Sequence, residues 1–246
     1  MKPFLVLQLR PETEAADEEF AAILRRAQLD LHNVQRMRLD QVDLPSDLDL
    51  SALSGVIVGG GPGCVSDPVE AKDPTEARIE AQILGLMPRI IAQDVPFLGC
   101  CYGIGILGRH LNAPVSKTYH GEAIGPISCQ RRPESAGDPL LDGVPDRFTA
   151  LVGHKEALDA LPDGATHLLE GARCPIQMLR YGARVYATQF HPEADGTSFA
   201  LRIRVYRDKG YFHPDEADAL TERCADVQTE ISGRILANFT RHFARA

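Results

Sequence analysis

A chain of 246 residues with 44% hydrophobic content is long enough to bury a substantial core. Its net charge of −8, with no long Lys/Arg cluster, excludes a nucleic-acid partner. Six cysteines without a C-x-x-C pair exclude a structural zinc site of the common kind, so no metal is expected.

The first apolar run, residues 4–9, is interrupted by Gln8 and ends at Arg10 without a cleavage-type site. It reads as part of a strand over 3–9, not as a signal peptide. Helical spacing of Phe20, Ile23, Leu24 and Ala27 predicts a helix around 17–28. Strands are predicted near 34–39 and over 56–58, followed by a long helix over 75–92 with Ile79, Ile83, Leu86 and Ile90 on one face. A short apolar strand at 95–98 then runs into another helix pattern. This alternation predicts an α/β fold with a mostly parallel central sheet covered by helices on both faces.

From about residue 116 the pattern changes to short strands at 121–129, 148–152, 175–181 and 185–190, which predicts antiparallel pairing at one side of the sheet. Two helices are expected at the end, 197–209 and 214–243, the second with Ile231, Ile235, Leu236 and Phe239 as its apolar stripe. The whole chain reads as one domain, with 196–246 a C-terminal helical extension that completes the core. Arg202, Arg204 and Arg207 read as a solvated helix face. No segment approaches membrane-spanning length, and a cytoplasmic location is expected.

Three stretches carry chemistry. Gly99-Cys100-Cys101-Tyr102-Gly103 places a thiol where a buried strand turns into a helix, the form of a nucleophile elbow. The turn crowds the positions two before and two after the nucleophile, so glycine on both sides selects Cys101 and leaves Cys100 as a strand residue. A helix N-terminus is expected to lower the Cys101 pKa. Gln189-Phe190-His191-Pro192-Glu193 follows a predicted strand and supplies a base, His191, with a carboxylate two residues on to orient it. The other seven histidines read as structural. Gly59-Gly60-Gly61-Pro62-Gly63 also follows a buried strand. No Gly-Lys-Ser/Thr follows it, so it is not a phosphate loop; an oxyanion hole from the N–H groups of Gly61 and Tyr102 fits it better.

These pieces, together with Gly121-Glu122-Ala123-Ile124-Gly125, resemble the class I (triad-type) glutamine amidotransferases, and among them the amidotransferase domain of GMP synthetase and its stand-alone relatives. The resemblance implies a flavodoxin-like fold and a Cys101, His191, Glu193 triad. That triad would attack the side-chain amide of glutamine, form a γ-glutamyl thioester and release ammonia, then glutamate. It also implies oxyanion donors at Gly61 and Tyr102, substrate contacts at Gly60 and Gly105, and no cofactor. The residue four after the nucleophile is commonly glutamine in the family, and Gly105 stands there in this chain. Free glutamine is therefore expected to be held less tightly, and another γ-glutamyl compound becomes a candidate substrate.

No phosphate loop or other nucleotide-activating motif is visible. The ammonia then passes to a separate synthetase subunit, or the chain acts alone as a γ-glutamyl hydrolase or transferase. Two other readings compete. Gly103, Gly105 and Gly108 fit G-x-G-x-x-G with Glu122 further on, a dinucleotide fingerprint whose glycines would start inside the helix and whose Glu122 lies among turn residues. An inactive regulatory subunit would have lost a triad residue, and all three are present.

Overall fold

In the computed structural model, which describes residues 1–246, strand β1 (Phe4–Gln8) leads through helix α1 (Thr13–Ala27) to β2 (Val34–Arg38) and β3 (Gly55–Val58). Helix α2 (Pro74–Ala92) precedes β4 (Phe97–Cys100) and α3 (Tyr102–His110). The second half begins with β5 (Val115–Ser116), β6 (Glu122–Arg131), β7 (Arg147–His154) and β8 (Ala157–Leu158). It continues with β9 (Ala165–Gly171), β10 (Met178–Tyr181) and β11 (Val185–Thr188), then helices α4 (Gly196–Tyr206), α5 (Ala217–Ala225) and α6 (Glu230–Phe243). No helix is long and apolar enough to cross a membrane.

Nine strands form one sheet in the order β2-β1-β3-β4-β11-β10-β9-β6-β7. The first five are parallel, and every pairing from β11 to β7 is antiparallel. This is the α/β sheet with an antiparallel side that the pattern of elements predicts. Side chains on successive strand residues point to opposite faces, so the parallel strands must be apolar throughout to be covered twice. Leu5, Leu7, Val56 and Val58 pack under α2 and α3, with Ile83, Met87, Ile90 and Leu107. Phe4, Val6, Ile57 and Leu98 face α1 and α6, with Ile23, Ile235, Leu236 and Phe239.

Two expectations need correction. The predicted helix over 214–243 is two helices, α5 and α6, separated near Asp226. The two parts serve different cores, which is why one helix axis does not suit both. Leu220 and Cys224 of α5 pack with Leu151, Phe199 and Ile203, whereas α6 packs on the far face of the main sheet. Strand β9 has no counterpart in the sequence reading. Its buried residues, Leu168 and Leu169, are adjacent instead of alternating, so the usual period-2 signal is missing.

The topology aligns the loops after β3, β4 and β11. β4 and β11 are parallel neighbours with Cys100 opposite Thr188, and the Cys101 N–H donates to the Thr188 carbonyl at 2.8 Å. The chain leaving β4 and the chain leaving β11 are thus pinned side by side at the carboxyl end of the sheet, beside the loop after β3.

Candidate active site

Cys101 sits between β4 and α3 with φ 52° and ψ −92°, a conformation that costs a residue with a side chain about 1–3 kcal/mol and persists only where its surroundings impose it. The local sequence explains how. A Cβ on Gly99 would lie 2.9 Å from the carbonyl carbon and oxygen of Gly103, so only glycine lets the strand meet the helix this closely. Gly103 itself has more room, since a Cβ there would have its nearest neighbour at 3.7 Å, so the crowding is one-sided and not the symmetric constraint expected from the motif. Cys100 is the last residue of β4 and is buried. The Tyr102 hydroxyl donates to Glu80 at 2.7 Å, anchoring the first residue of α3.

His191 and Glu193 are both buried in the turn after β11. His191 Nδ1 lies 2.8 Å from Glu193 Oε1. A carboxylate oxygen accepts, so Nδ1 carries the proton and Nε2 keeps its lone pair. The His191 N–H donates to the Leu151 carbonyl at 3.0 Å, which fixes the turn to β7. Cys101, His191 and Gly61 line one small cavity together with Arg10, Phe199, Arg202, Tyr206 and Tyr211.

The electrostatics reverse one expectation. Burial pushes the Cys101 thiol up to about 12, with Arg10 opposing and Glu193 and Glu156 adding to the rise, so the helix N-terminus does not make a resting thiolate. Burial also holds His191 below the ordinary histidine value, against the pull of Glu193 and assisted by Arg202 and Arg10. The resting pair is a thiol beside a neutral imidazole. Glu193 keeps its charge: burial works against it, and His191 and Arg202 together overcome burial to hold the carboxyl well below the usual range.

The glycine loop after β3 divides its tasks. The Gly60 N–H donates to Glu19 Oε1 at 3.2 Å and so is not available to a substrate. A side chain at Gly60 would meet His191 Cε1 at 2.7 Å and Arg10 Nη2 at 2.8 Å, so this glycine makes room for His191 and Arg10. The Gly61 N–H has no acceptor within the chain, and the Tyr102 N–H opens a helix, where amides lack intrahelical partners. Both Gly61 and Tyr102 line a second pocket with Cys101, Gly105, His154, Glu156 and Gln189.

Gly105 lies in α3 on that pocket, and no space stands open beside it. A Cβ there would lie 3.0 Å from Val65 Cγ2 and 3.1 Å from Glu156 Oε1. Gly103, Gly105 and Gly108 all fall inside α3, which is not the placement of a dinucleotide loop. Glu122 is not a turn residue: it opens β6, buried, and its Oε2 accepts from Gln177 at 2.8 Å and contacts His154 Nε2 at 3.0 Å. Ligand-type atoms of Glu122, His154 and Cys174 fall within 4.8 Å of one another. Hydrogen bonds account for them, since His154 Nδ1 also meets the Glu156 carbonyl at 2.9 Å and the Cys174 thiol donates to the Ile176 carbonyl.

Four residues beyond the expected set shape the site. Arg202 is not on a solvated face: it is buried with Nη1 3.0 Å from Glu193 Oε1. Arg10 is buried and pairs with Glu19 at 2.9 Å while lining the cavity. Tyr211 lies across the cavity and donates to the Pro62 carbonyl at 2.7 Å. Glu156 takes the N–H groups of Val65 and Ser66, each at 2.8 Å. Nothing in local spacing marks these four, because each reaches the site from a distant part of the chain.

A family model described as class-I glutamine amidotransferase matches residues 17–204. A glutamine-hydrolyzing GMP synthase of Thermomicrobium roseum is 30% identical over 159 residues, covering 63% of this chain and 27% of that protein. The chain therefore spans only about a quarter of that relative's length. The A subunit of a glutamine-hydrolyzing GMP synthase of Thermoplasma acidophilum is 26% identical over 175 residues, covering 69% of this chain and 80% of that protein. A crystal structure of a glutamine amidotransferase from Thermotoga maritima superposes with a TM-score of 0.76 at 22% identity, covering 98% of this chain and 99% of that one. The family model extends over well more than half of the residues, and the chain belongs to the class-I glutamine amidotransferase family.

Proposed function

We propose that this chain hydrolyses the side-chain amide of glutamine, or of a γ-glutamyl compound, through a γ-glutamyl thioester on Cys101. The observation that carries the reading is the shared cavity of Cys101 and His191, the one at a strained elbow and the other with Nδ1 engaged by buried Glu193. His191 Nε2 takes the thiol proton as Sγ attacks the amide carbon, and Glu193 stabilises the imidazolium formed. The N–H groups of Gly61 and Tyr102 receive the developing oxyanion. His191 then gives its proton to the departing nitrogen, and the amine leaves. In the second half His191 removes a proton from water, whose oxygen attacks the thioester carbon. The thiolate departs and is reprotonated, releasing the acid.

Ammonia released in this way would pass to a separate synthetase subunit. A relative named as the A subunit of a GMP synthase, with 80% of its own length matched, supports that arrangement. A second reading, a stand-alone hydrolase or transferase of γ-glutamyl amides, has its own support. The cavity on the His191 side, where the departing amine must sit, is lined by Phe199, Ile203, Tyr206, Tyr211 and Phe212 as well as Arg10. Ammonia needs no such apolar lining, whereas a substituted amine does.

The test is glutamate release from glutamine and from γ-glutamyl amides by purified protein, alongside intact-mass detection of a glutamine-like chloroketone. Turnover, with one adduct that Cys101→Ala removes, is the expected result. Absence of both turnover and adduct would overturn the reading.

A further inference from the structure

Helix α3 begins at the elbow, and one carboxylate grips it at both ends. Tyr102, its first residue, donates its hydroxyl to Glu80 Oε2 at 2.7 Å, and Arg109, in its last turn, places Nη1 3.2 Å from Glu80 Oε1. Seven residues are close to two helical turns, so Tyr102 and Arg109 share the face that α3 turns toward Glu80 of α2. The third partner of Glu80 is Lys72, which donates to Oε2 from the segment between the glycine loop and α2; Lys72 and Glu80 are both buried. Burial, and after it Glu80, raises the Tyr102 hydroxyl well above its ordinary value, so it stays a donor. Arg109 also donates to the Val65 carbonyl, and Glu156 takes the Val65 N–H. The chain leaving the glycine loop is thereby tied to the same carboxylate.

A buried ion pair adds little net stability, because desolvation offsets the attraction and apolar residues of similar volume serve as well. The geometry at Cys101 makes a different demand. Its φ of 52° and ψ of −92° persist only where the neighbours hold both flanks. One flank is held by the bond from the Cys101 N–H to the Thr188 carbonyl, and the other flank is Tyr102. Rotation about ψ of Cys101 would leave Sγ in place and swing the peptide that carries the Tyr102 N–H. What holds the Tyr102 ring therefore decides where that N–H points.

We propose that Glu80, neutralised by Lys72, is a positioning residue: through the Tyr102 ring it holds Cys101 in the conformation that aims the Tyr102 N–H at the oxyanion. The proposal rests on the amidohydrolase reading above. Glu80 lines neither of the pockets that contain Cys101, so it acts through Tyr102 and not on the substrate.

Two variants test it. Tyr102→Phe removes only the hydroxyl, and Lys72→Met combined with Glu80→Leu replaces the buried ion pair with apolar side chains. Steady-state kinetics on glutamine and a γ-glutamyl anilide are read beside unfolding midpoints and the rate of Cys101 alkylation by iodoacetamide, which needs the thiol and His191 but no oxyanion donor. Both variants are expected to lose about tenfold in kcat, less than outright deletion of an oxyanion donor costs, with KM and the alkylation rate within about twofold of wild type. The combined variant should do so at a near-native midpoint, which separates positioning from stability. Unchanged kcat in either folded variant, or parallel loss of kcat and alkylation rate, would overturn the proposal and leave the amidohydrolase reading standing. Should the wild type take the chloroketone adduct yet turn over neither substrate, the rate of adduct formation replaces kcat, since the ketone oxygen enters the oxyanion site. No turnover and no adduct would remove the functional reading and, with it, this proposal.

Discussion

Arg202 Nη1 approaches Glu193 Oε1 to 3.0 Å, the same oxygen that His191 Nδ1 contacts at 2.8 Å. One carboxylate oxygen therefore carries both the orientation of the His191 ring and the neutralisation of its own charge. Arg202 also lies 3.2 Å from His191 Nδ1, where its charge disfavours the imidazolium. Removing it has two separable effects. Arg202→Met should leave the Glu193 charge buried with His191 alone, costing about 3–5 kcal/mol of stability, as is typical when one partner of a buried pair is lost. In the fraction that folds, the acid limb of the pH–rate profile should move to higher pH, because a positive neighbour of His191 has gone. An unmoved limb would show that Arg202 acts on Glu193 only.

Cys101→Ala should abolish turnover, since no other thiol stands at the elbow. Cys100→Ser should keep most of it while lowering stability by about 1–3 kcal/mol, because a hydroxyl replaces a buried thiol at the end of β4. Denaturation midpoints and steady-state rates of the two variants separate these outcomes; comparable loss of rate in both would argue against the elbow assignment.

The elbow, the glycine loop and the His191-Pro192-Glu193 turn were legible because each is a short run of chain whose chemistry depends on adjacent residues. Arg202 was not, since a helix with arginines at 202, 204 and 207 looks amphipathic whichever of them turns inward. Only the packing of Phe199 and Ile203 against Leu151 decides that Arg202 faces Glu193. Glu156 was hidden for a different reason. It reaches the pocket through the turn from β7 to β8, and that turn is set by the pairing of β8 with β5, which two-residue strands do not announce. The parallel sheet was readable from the apolar strands β1, β3 and β4, whereas β9 was not, its polar residues outnumbering any alternation.

The resting pair predicts an unusual pH response. His191 is held below its ordinary value, so the base stays neutral through pH 7 and activity should decline only below about 6.5. A thiol pushed up to about 12 should make iodoacetamide react slowly with Cys101 at neutral pH, and more slowly still in His191→Asn. Stability follows the same sign. His191 and Glu193 both bind protons less readily folded than unfolded, so their contribution to the unfolding midpoints should be flat above pH 7, whereas the raised Cys101 thiol should lower the midpoints again above about pH 8.5. They should fall first as pH drops through the histidine range and again through the carboxylate range. Loss of the histidine step in His191→Asn would confirm its source; a midpoint that rises on acidification would contradict the neutral resting imidazole.

Tyr211 donates to the Pro62 carbonyl at 2.7 Å and approaches that of Gly61 at 3.3 Å, tying the segment after α4 to the glycine loop after β3. Tyr211→Phe should cost about 0.5–1.5 kcal/mol of this tether, read as a fall of roughly twofold to tenfold in kcat if the Gly61 N–H drifts from the oxyanion. A change confined to KM would place Tyr211 in substrate contact instead of loop positioning.

Gly105→Gln should give the opposite result to the one the family pattern suggests. By sequence alone, restoring glutamine should improve glutamine binding. The structure puts Val65 Cγ2 at 3.0 Å and Glu156 Oε1 at 3.1 Å from the new Cβ, both tighter than ordinary van der Waals contact. Glu156 cannot withdraw without releasing the Val65 and Ser66 N–H groups it holds, and α3 cannot shift without disturbing Cys101 at its N-terminus. The substitution should therefore raise KM for every γ-glutamyl substrate and lower stability by about 1–3 kcal/mol, the usual cost of overpacking. Glu156→Ala in the same chain removes one of the two obstacles, and the double variant should recover part of the lost stability, a coupling that a double-mutant cycle measures directly. Additive losses from the two changes would mean that Glu156 and position 105 do not compete for the same space.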